Sequence, residues 1–315
     1  MTQPSINSTF DTSLVDLNPN VSFSTTESDP SDAGMSTTTQ KIPTPSPLAQ
    51  DVNQDTSQAR QAMPPKTSTP VQHIGTQEAY DQWATVYDTD GNMLQSIDDS
   101  ELNSLLPSLL DEVASTRSST IAVLDLGCGT GRNTLRLLSH PWPSSKSIAV
   151  TGLDFSSGML SHARTKLTPL ADSAANLTLR LEHCDPFAPS ALALPPQDLV
   201  ISTLVLEHIP LSEFFTTLST LLAPGGTALV TNMHAEMGSR SSAGFVNAEG
   251  IKVRGESYVY TLSETVAASE KAGLRVLSAR ERSVSRNDVE TGVVGKRGKK
   301  WVGWKVWFGI VVRKV

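Results

Sequence analysis

The chain predicts an α/β fold in which a mainly parallel sheet carries helices on both faces. Apolar, strand-length runs alternate with amphipathic helical stretches between Ile121 and Arg282, the order that builds a covered parallel sheet. One run, Val123-Leu124-Asp125-Leu126, passes directly into the turn Gly127-Cys128-Gly129-Thr130-Gly131 and then into a helix. From Val302 the even positions Val302, Trp304, Val306, Phe308, Ile310 and Val312 are all apolar. That period of two belongs to a strand buried on one face.

Ile121 to Leu126 is the first strand, and Thr130 to Ser139 a helix stopped by Pro141. Ile148 to Leu153 is the second strand. Ser156 is placed to cap the next helix, through about Leu167, because a serine oxygen accepts an early helical amide. Leu177, Leu179 and Leu181 put one face of a third strand, Leu177 to His183, in apolar contact, and a loop with Pro186, Pro189, Pro195 and Pro196 follows. Leu199 to Thr203 is the fourth strand. A helix from Leu211 to Leu222 ends at Ala223-Pro224-Gly225-Gly226, a stop-and-turn signal, and Thr227 to Met233 is the fifth strand. Thr261-Leu262-Ser263-Glu264 has capping-box spacing, so a helix runs to Gly273, and a sixth strand runs from Leu274 to Arg282.

The rest of the chain reads differently. Residues 1–71 are dominated by Ser, Thr, Pro, Gln, Asn and Asp without apolar periodicity, too little apolar surface to offset ordering entropy. A disordered tail, 1–71, ahead of one folded domain, 72–315, is therefore expected. With no continuous apolar run after Met1 and no Arg before Arg60, the tail reads as neither a secretory signal nor a mitochondrial presequence, and a cytoplasmic location is expected. The two cysteines, Cys128 and Cys184, make no disulfide framework and are expected as free thiols. No apolar run is long enough to span a bilayer, and a net charge of −7 speaks against a nucleic-acid surface. Neither a membrane nor a nucleic acid is expected as partner.

The glycine turn carries the chemistry. Glycine suits a place where backbone approaches a ligand, since it lacks a Cβ and tolerates positive φ, and the helix that follows points unpaired amides at whatever binds. The Asp125 carboxylate just ahead of it would repel a dinucleotide pyrophosphate and attract a cofactor bearing an ammonium and a sulfonium, which favours S-adenosylmethionine over NAD. The dinucleotide fingerprint G-x-G-x-x-G also fails, because Arg132 stands where its third glycine is required. Together, LDLGCGTG and Gly152-Leu153-Asp154-Phe155-Ser156 resemble the first two signature elements of the class I S-adenosylmethionine-dependent methyltransferases, a likeness spanning roughly residues 77–315. It implies a Rossmann-like, seven-stranded sheet of order 3-2-1-4-5-7-6, with the C-terminal strand antiparallel beside the fifth and S-adenosylmethionine as cofactor.

Ligands of doubly wound sheets gather at the carboxyl ends of the strands where the strand order reverses. Asp154 ends the second strand, 23 residues beyond Gly131, about where a carboxylate accepts from both ribose hydroxyls. Asp185, in His183-Cys184-Asp185-Pro186-Phe187, matches the acidic position that the resemblance aims at the adenine amino group, with Phe155 and Phe187 beside the ring. Both acids have an alternative role as caps of the turns that follow them. Cys128 is a candidate nucleophile or simply a small residue in the loop. The segment Glu78-Ala79-Tyr80-Asp81-Gln82-Trp83-Ala84-Thr85-Val86-Tyr87-Asp88 is similar to the family's Y-D-x-W-A-x-x-Y-D element, which implies that Tyr80 and Tyr87 close over the site. Leu204-Val205-Leu206-Glu207-His208-Ile209-Pro210 is similar to the segment that carries a histidine beside the cofactor methyl group. His208 is thus the candidate catalytic residue, either as base or as pocket wall. Gly127, Gly129, Gly131, Ser156, Met159, Pro186 and Leu204 complete the expected cofactor contacts, and no metal-ligand spacing is present.

Methyl transfer to O, N or S of a small-molecule acceptor follows from the resemblance, whose wording is similar to the ubiquinone and carrier-protein methyl ester group; transfer to a protein or peptide, and S-adenosylmethionine binding without catalysis in a regulatory protein, are the alternatives. His234, Met237, Phe245, Lys252, Arg254, Tyr258 and Tyr260 are expected to set the acceptor, moderately sized and, from the basic residues, anionic. Trp301, Trp304 and Trp307 read as core or as an aromatic ligand box. The run Lys296-Arg297-Gly298-Lys299-Lys300 reads as a solvated hairpin tip or an anion patch.

Overall fold

The computed structural model describes residues 71–117, 119–188, 194–247 and 249–315. The expected tail therefore lies outside the described residues up to Val71, which opens the first strand, and Pro189 of the proline-rich loop lies outside them too.

In chain order the main elements are β1 (Val71–His73), α1 (Thr76–Trp83), α2 (Met93–Thr116), β2 (Thr120–Leu126), α3 (Arg132–Ser139), β3 (Ser147–Asp154), α4 (Ser157–Asp172), β4 (Leu177–His183) and β5 (Gln197–Thr203). They continue with α5 (Leu211–Leu221), β6 (Leu222–Met233), α6 (Ala235–Gly238), β7 (Gly244–Val246), β8 (Lys252–Arg254), α7 (Leu262–Lys271), β9 (Leu274–Ser283), α8 (Arg286–Glu290) and β10 (Lys305–Lys314). Seven strands form one sheet in the order β4-β3-β2-β5-β6-β10-β9. Counted along that sheet alone, this is 3-2-1-4-5-7-6, as the glycine-turn resemblance implies. β10 is antiparallel to both of its neighbours, and β2 is parallel to β3 and β5.

Successive residues of the central strands enter opposite cores, the sign of a sheet covered twice. Ile121 and Val123 pack with Leu106, Leu110 and Val113 of α2 and with Ala163 and Leu167 of α4. Leu124 and Leu126 pack with Phe214, Phe215 and Leu218 of α5. The 24-residue α2 is an element that the strand and turn signals do not announce. The Asn92 side chain starts it by accepting from Leu94 N at 3.0 Å and Gln95 N at 3.2 Å, two of the amides a helix start leaves unpaired.

Several local expectations change in the folded chain. Ala223-Pro224-Gly225-Gly226 does not separate helix from strand; β6 already begins at Leu222, and its pairing with β5 slips between Gln197 and Leu199 as the chain passes Gly225 at φ 69°. The C-terminal strand is not half buried. It lies between β6 and β9 under helices on both faces, so Trp307 and Phe308 are both buried. Trp307 donates to the buried Asp98 carboxylate at 2.8 Å, whereas Trp304 precedes the strand, exposed, with the Arg240 guanidinium 4.0 Å from its ring centre. The basic run is no hairpin tip but part of a 3-10 turn, Lys296–Trp301, where Arg297 donates to Asp90 O. α3 starts at Arg132 rather than Thr130, because Gly131 takes the left-handed conformation at its N-cap.

Candidate active site

A cleft opens over the carboxyl ends of β2, β3, β4 and β5. Its floor is the glycine turn. Gly127 N and Cys128 N both donate to Leu153 O at 2.9 Å, holding the turn against the end of β3. The three glycines do different work. A Cβ at Gly127 (φ +78) would meet Val205 Cγ2 at 2.3 Å, and one at Gly131 (φ +80) would meet Leu167 Cδ1 at 2.6 Å, so both are required by packing. Gly129 (φ +54) has nothing within 4 Å of its Cβ direction, and it is the one whose bare face leaves room for a ligand.

Asp154 fastens this turn. Its Oδ2 accepts from Gly129 N at 2.7 Å and its Oδ1 from Ser156 N at 2.9 Å. Burial pushes the carboxyl up to about 6, opposed by those two amides. Of the expected cofactor residues, Gly127, Gly129, Asp154, Phe155, Met159 and Leu204 line the cleft. Tyr80, Tyr87, Asp185, Pro186, Phe187 and His208 do so as well. Phe187 is held by stacking on Phe214, centroids 5.7 Å apart, and Asp185 Oδ1 accepts from Phe187 N at 2.9 Å, so this acid also shapes its own turn.

Four expected residues, Asp125, Cys128, Gly131 and Ser156, are absent from the cleft wall and sit behind it. Asp125 is 1% exposed. Thr134 Oγ1 donates to its Oδ2 at 2.6 Å, its Oδ1 has no hydrogen-bond partner, and burial lifts the carboxyl to about 7. Burial and the nearby Asp125 and Asp154 also push the Cys128 thiol up, away from the reactive thiolate. Ser156 caps α4 as expected, its Oγ accepting from Met159 N at 3.1 Å while donating to Asp81 Oδ1 at 2.6 Å.

That last bond belongs to a lid. α1 lies across the cleft, fastened by Gly158 N donating to Asp81 Oδ1 at 3.0 Å and Gln77 Nε2 to Phe155 O at 2.8 Å. The lid delivers Tyr80, whose hydroxyl is 2.9 Å from His208 Nε2. His208 Nδ1 lies 2.8 Å from the carbonyl of Glu256. A carbonyl only accepts, so Nδ1 carries the proton and Nε2 receives the Tyr80 hydroxyl proton. Burial lowers His208 to about 4, leaving it neutral near pH 7.

Leu204, between β5 and the 3-10 turn Leu206–His208, is the residue other than glycine with positive φ among the described residues, at 58°. Its amide is fixed to Thr231 O at 2.9 Å, and a non-glycine residue held there is strained by roughly 1–2 kcal/mol. Glu207 escapes sequence reasoning altogether. It is 3% exposed, its Oε2 has no hydrogen-bond partner, and burial lifts it to about 8. None of the residues expected to set the acceptor lines the cleft: Lys252 and Arg254 are in β8 of the small β1-β8-β7 sheet and His234 Nε2 pairs with Glu281 at 2.8 Å, whereas Phe245 stacks on Trp83, Tyr258 N donates to Glu207 O at 2.6 Å and the Tyr260 hydroxyl to Ile209 O at 3.1 Å. Among the described residues there is no cluster of three His, Cys, Asp or Glu that could hold a metal, and no helix long and apolar enough to cross a membrane.

Residues 124–228 match the family described as "Methyltransferase domain". An uncharacterized methyltransferase of Emericella nidulans is 40% identical over 265 residues, covering 76% of this chain and 91% of that protein. A trans-aconitate 2-methyltransferase of Methylobacterium nodulans is 36% identical over 109 residues, covering 34% of this chain and 36% of that protein. Among solved structures, the magnesium protoporphyrin IX methyltransferase of Synechocystis with bound S-adenosylhomocysteine is 15% identical, covers 76% of this chain and 94% of that one, and has a TM-score of 0.47. The glycine turn clasped by Asp154, the strand order and the extended likeness to the Emericella protein agree: the chain belongs to the class I S-adenosylmethionine-dependent methyltransferase family, with S-adenosylmethionine as its cofactor.

Proposed function

We propose that the cleft binds S-adenosylmethionine between the glycine turn and the lid, and that the protein transfers its methyl group to O, N or S of a small organic acceptor. The observation that carries this is the Asp154 clasp on Gly129 and Ser156, which sets a carboxylate and a bare glycine backbone on one cleft wall. The residues fit the cofactor chemically: Asp154 for the ribose hydroxyls, Asp185 for an exocyclic amine, Phe155 and Phe187 for the base, and the orphaned oxygen of Asp125 for the ammonium, through water. When bound, the sulfonium supplies an electrophilic methyl group.

The remaining work falls to the chain. Alignment in a water-poor site accounts for most of the rate, and α1 supplies the cover. His208, neutral and anchored by the Glu256 carbonyl, orients the Tyr80 hydroxyl, so it is a positioning residue rather than a base of matched pKa. Calorimetry of S-adenosylmethionine, S-adenosylhomocysteine and NAD against the protein tests the reading, with Asp154→Ala as control. Micromolar binding of the first two, lost in the variant, supports it; binding of NAD, or of none, overturns it. An S-adenosylhomocysteine-release screen of small molecules, run on the full chain and on one beginning at Val71, then tests the acceptor class.

A further inference from the structure

A smaller recess adjoins the cleft and shares Tyr80, Tyr87 and Leu204 with it. Its remaining walls include Trp83, Met233 and Glu207. The three aromatic rings form a compact group: Tyr80 to Trp83 is 5.3 Å, Trp83 to Tyr87 5.0 Å and Tyr80 to Tyr87 6.1 Å between centroids. Glu207 is buried here with Oε2 unpartnered, and the nearest positive candidate, His208 Nε2, is 4.0 Å from its Oε1 and already takes the Tyr80 hydroxyl.

A buried carboxyl without a partner costs free energy, and aromatic faces attract cations. We infer that this recess receives the acceptor's nitrogen, held by Glu207 Oε2 and the rings of Tyr80, Trp83 and Tyr87, so that the protein methylates a primary or secondary amine; this rests on the cleft being the S-adenosylmethionine site. The opposite acceptor class fits poorly. No lysine or arginine is among the described residues that line either the recess or the cleft, whereas Asp154, Asp185 and Glu207 are, so an acceptor carboxylate or phosphate would meet no cationic side chain there.

As the ammonium binds beside it, Glu207 releases to solvent the proton that its carboxyl holds in the empty protein. The carboxylate then takes one N–H proton at Oε2 and leaves a neutral amine. Its lone pair forms the new N–C bond as the C–S bond breaks, the C–S pair stays on sulfur, and the product leaves as the N-methylammonium while Glu207 returns its proton to solvent. The lift of Glu207 toward 8 brings it closer to an amine in proton affinity, as this transfer requires.

The test is calorimetry on the full chain loaded with S-adenosylhomocysteine, using benzylamine, benzoate and benzyl alcohol, then propylamine, propionate and propanol. The amines should bind at least tenfold more tightly than the matched acids and alcohols. Glu207→Gln should lose that preference while holding S-adenosylhomocysteine within about threefold of the parent, which also reports an intact fold. Amines that bind no better than the acids, or a preference that survives Glu207→Gln, overturns the inference and leaves the cofactor reading standing. Failure of the parent protein to bind S-adenosylhomocysteine overturns the cofactor reading and this inference with it.

Discussion

The hydroxyl of Tyr80 and Nε2 of His208 meet at 2.9 Å across 128 positions of sequence, joining the lid to the segment after β5. Because the Glu256 carbonyl holds the proton on Nδ1, the pair has one direction, with Tyr80 donating. Tyr80→Phe removes the donor and strands a buried Nε2. Turnover should fall by about 10²-fold from misplacement, with S-adenosylhomocysteine affinity within about threefold. Any inflection that the parent shows near the usual histidine value should persist in His208→Gln, since His208 is held near 4 while Asp154 and Asp125 are lifted to about 6 and about 7; an inflection there that disappears in that variant would assign a titrating base instead.

Two glycines of one turn should separate binding from folding. Gly129→Ala places its Cβ in open space at a φ of +54, so it should cost about 1–2 kcal/mol of stability while sharply weakening cofactor affinity. Gly127→Ala drives a Cβ to 2.3 Å from Val205 and should lower the melting temperature considerably more. Thermal melts paired with S-adenosylhomocysteine titrations distinguish the two.

Asp154→Asn keeps the shape but replaces one accepting oxygen with a donor that faces a backbone N–H. One of the two amide bonds, to Gly129 or Ser156, is lost. A charge-assisted bond is worth roughly 1.5–3 kcal/mol, so affinity for S-adenosylhomocysteine should fall by about 10- to 100-fold, measured by calorimetry.

Stability should fall as pH rises above 6.5. Burial raises Glu207 to about 8 and Asp90 and Asp125 to about 7. Each stays protonated in the folded protein after the unfolded chain has released its proton, so its contribution is full below the unfolded pKa and is lost as pH passes the folded one. His208 acts oppositely: lowered from 6.5 to about 4, it stabilises above 6.5 and loses that contribution as pH falls toward 4. The window from 6.5 to 8 therefore contains only the declining groups among these four, each contributing up to about 1.4 kcal/mol per pH unit. Melts of the ligand-free protein across that window should show the fall, and Glu207→Gln should flatten it.

The sequence by itself determined the elements of the sheet and the chemistry of its first turn. Val123 to Gly131 dictates a strand, a glycine turn and a helix through local sterics, and alternating Leu177, Leu179 and Leu181 dictates a strand through its period, since both signals reach only a few residues along the chain. Asp154 and Ser156 were legible for the same reason, their partners Gly129 and Met159 being a turn or a neighbouring strand away. Tertiary structure alone decided which acids face the cleft. Asp125 is turned behind the floor by Thr134, and Glu207 is left unpaired by the convergence of α1 with the segment after β5. It also decided that Trp307 is buried while Trp304 is exposed, because β10 starts later than the alternation suggests and lies between two strands. Such outcomes depend on distances between residues far apart in sequence, which packing sets and local periodicity does not encode.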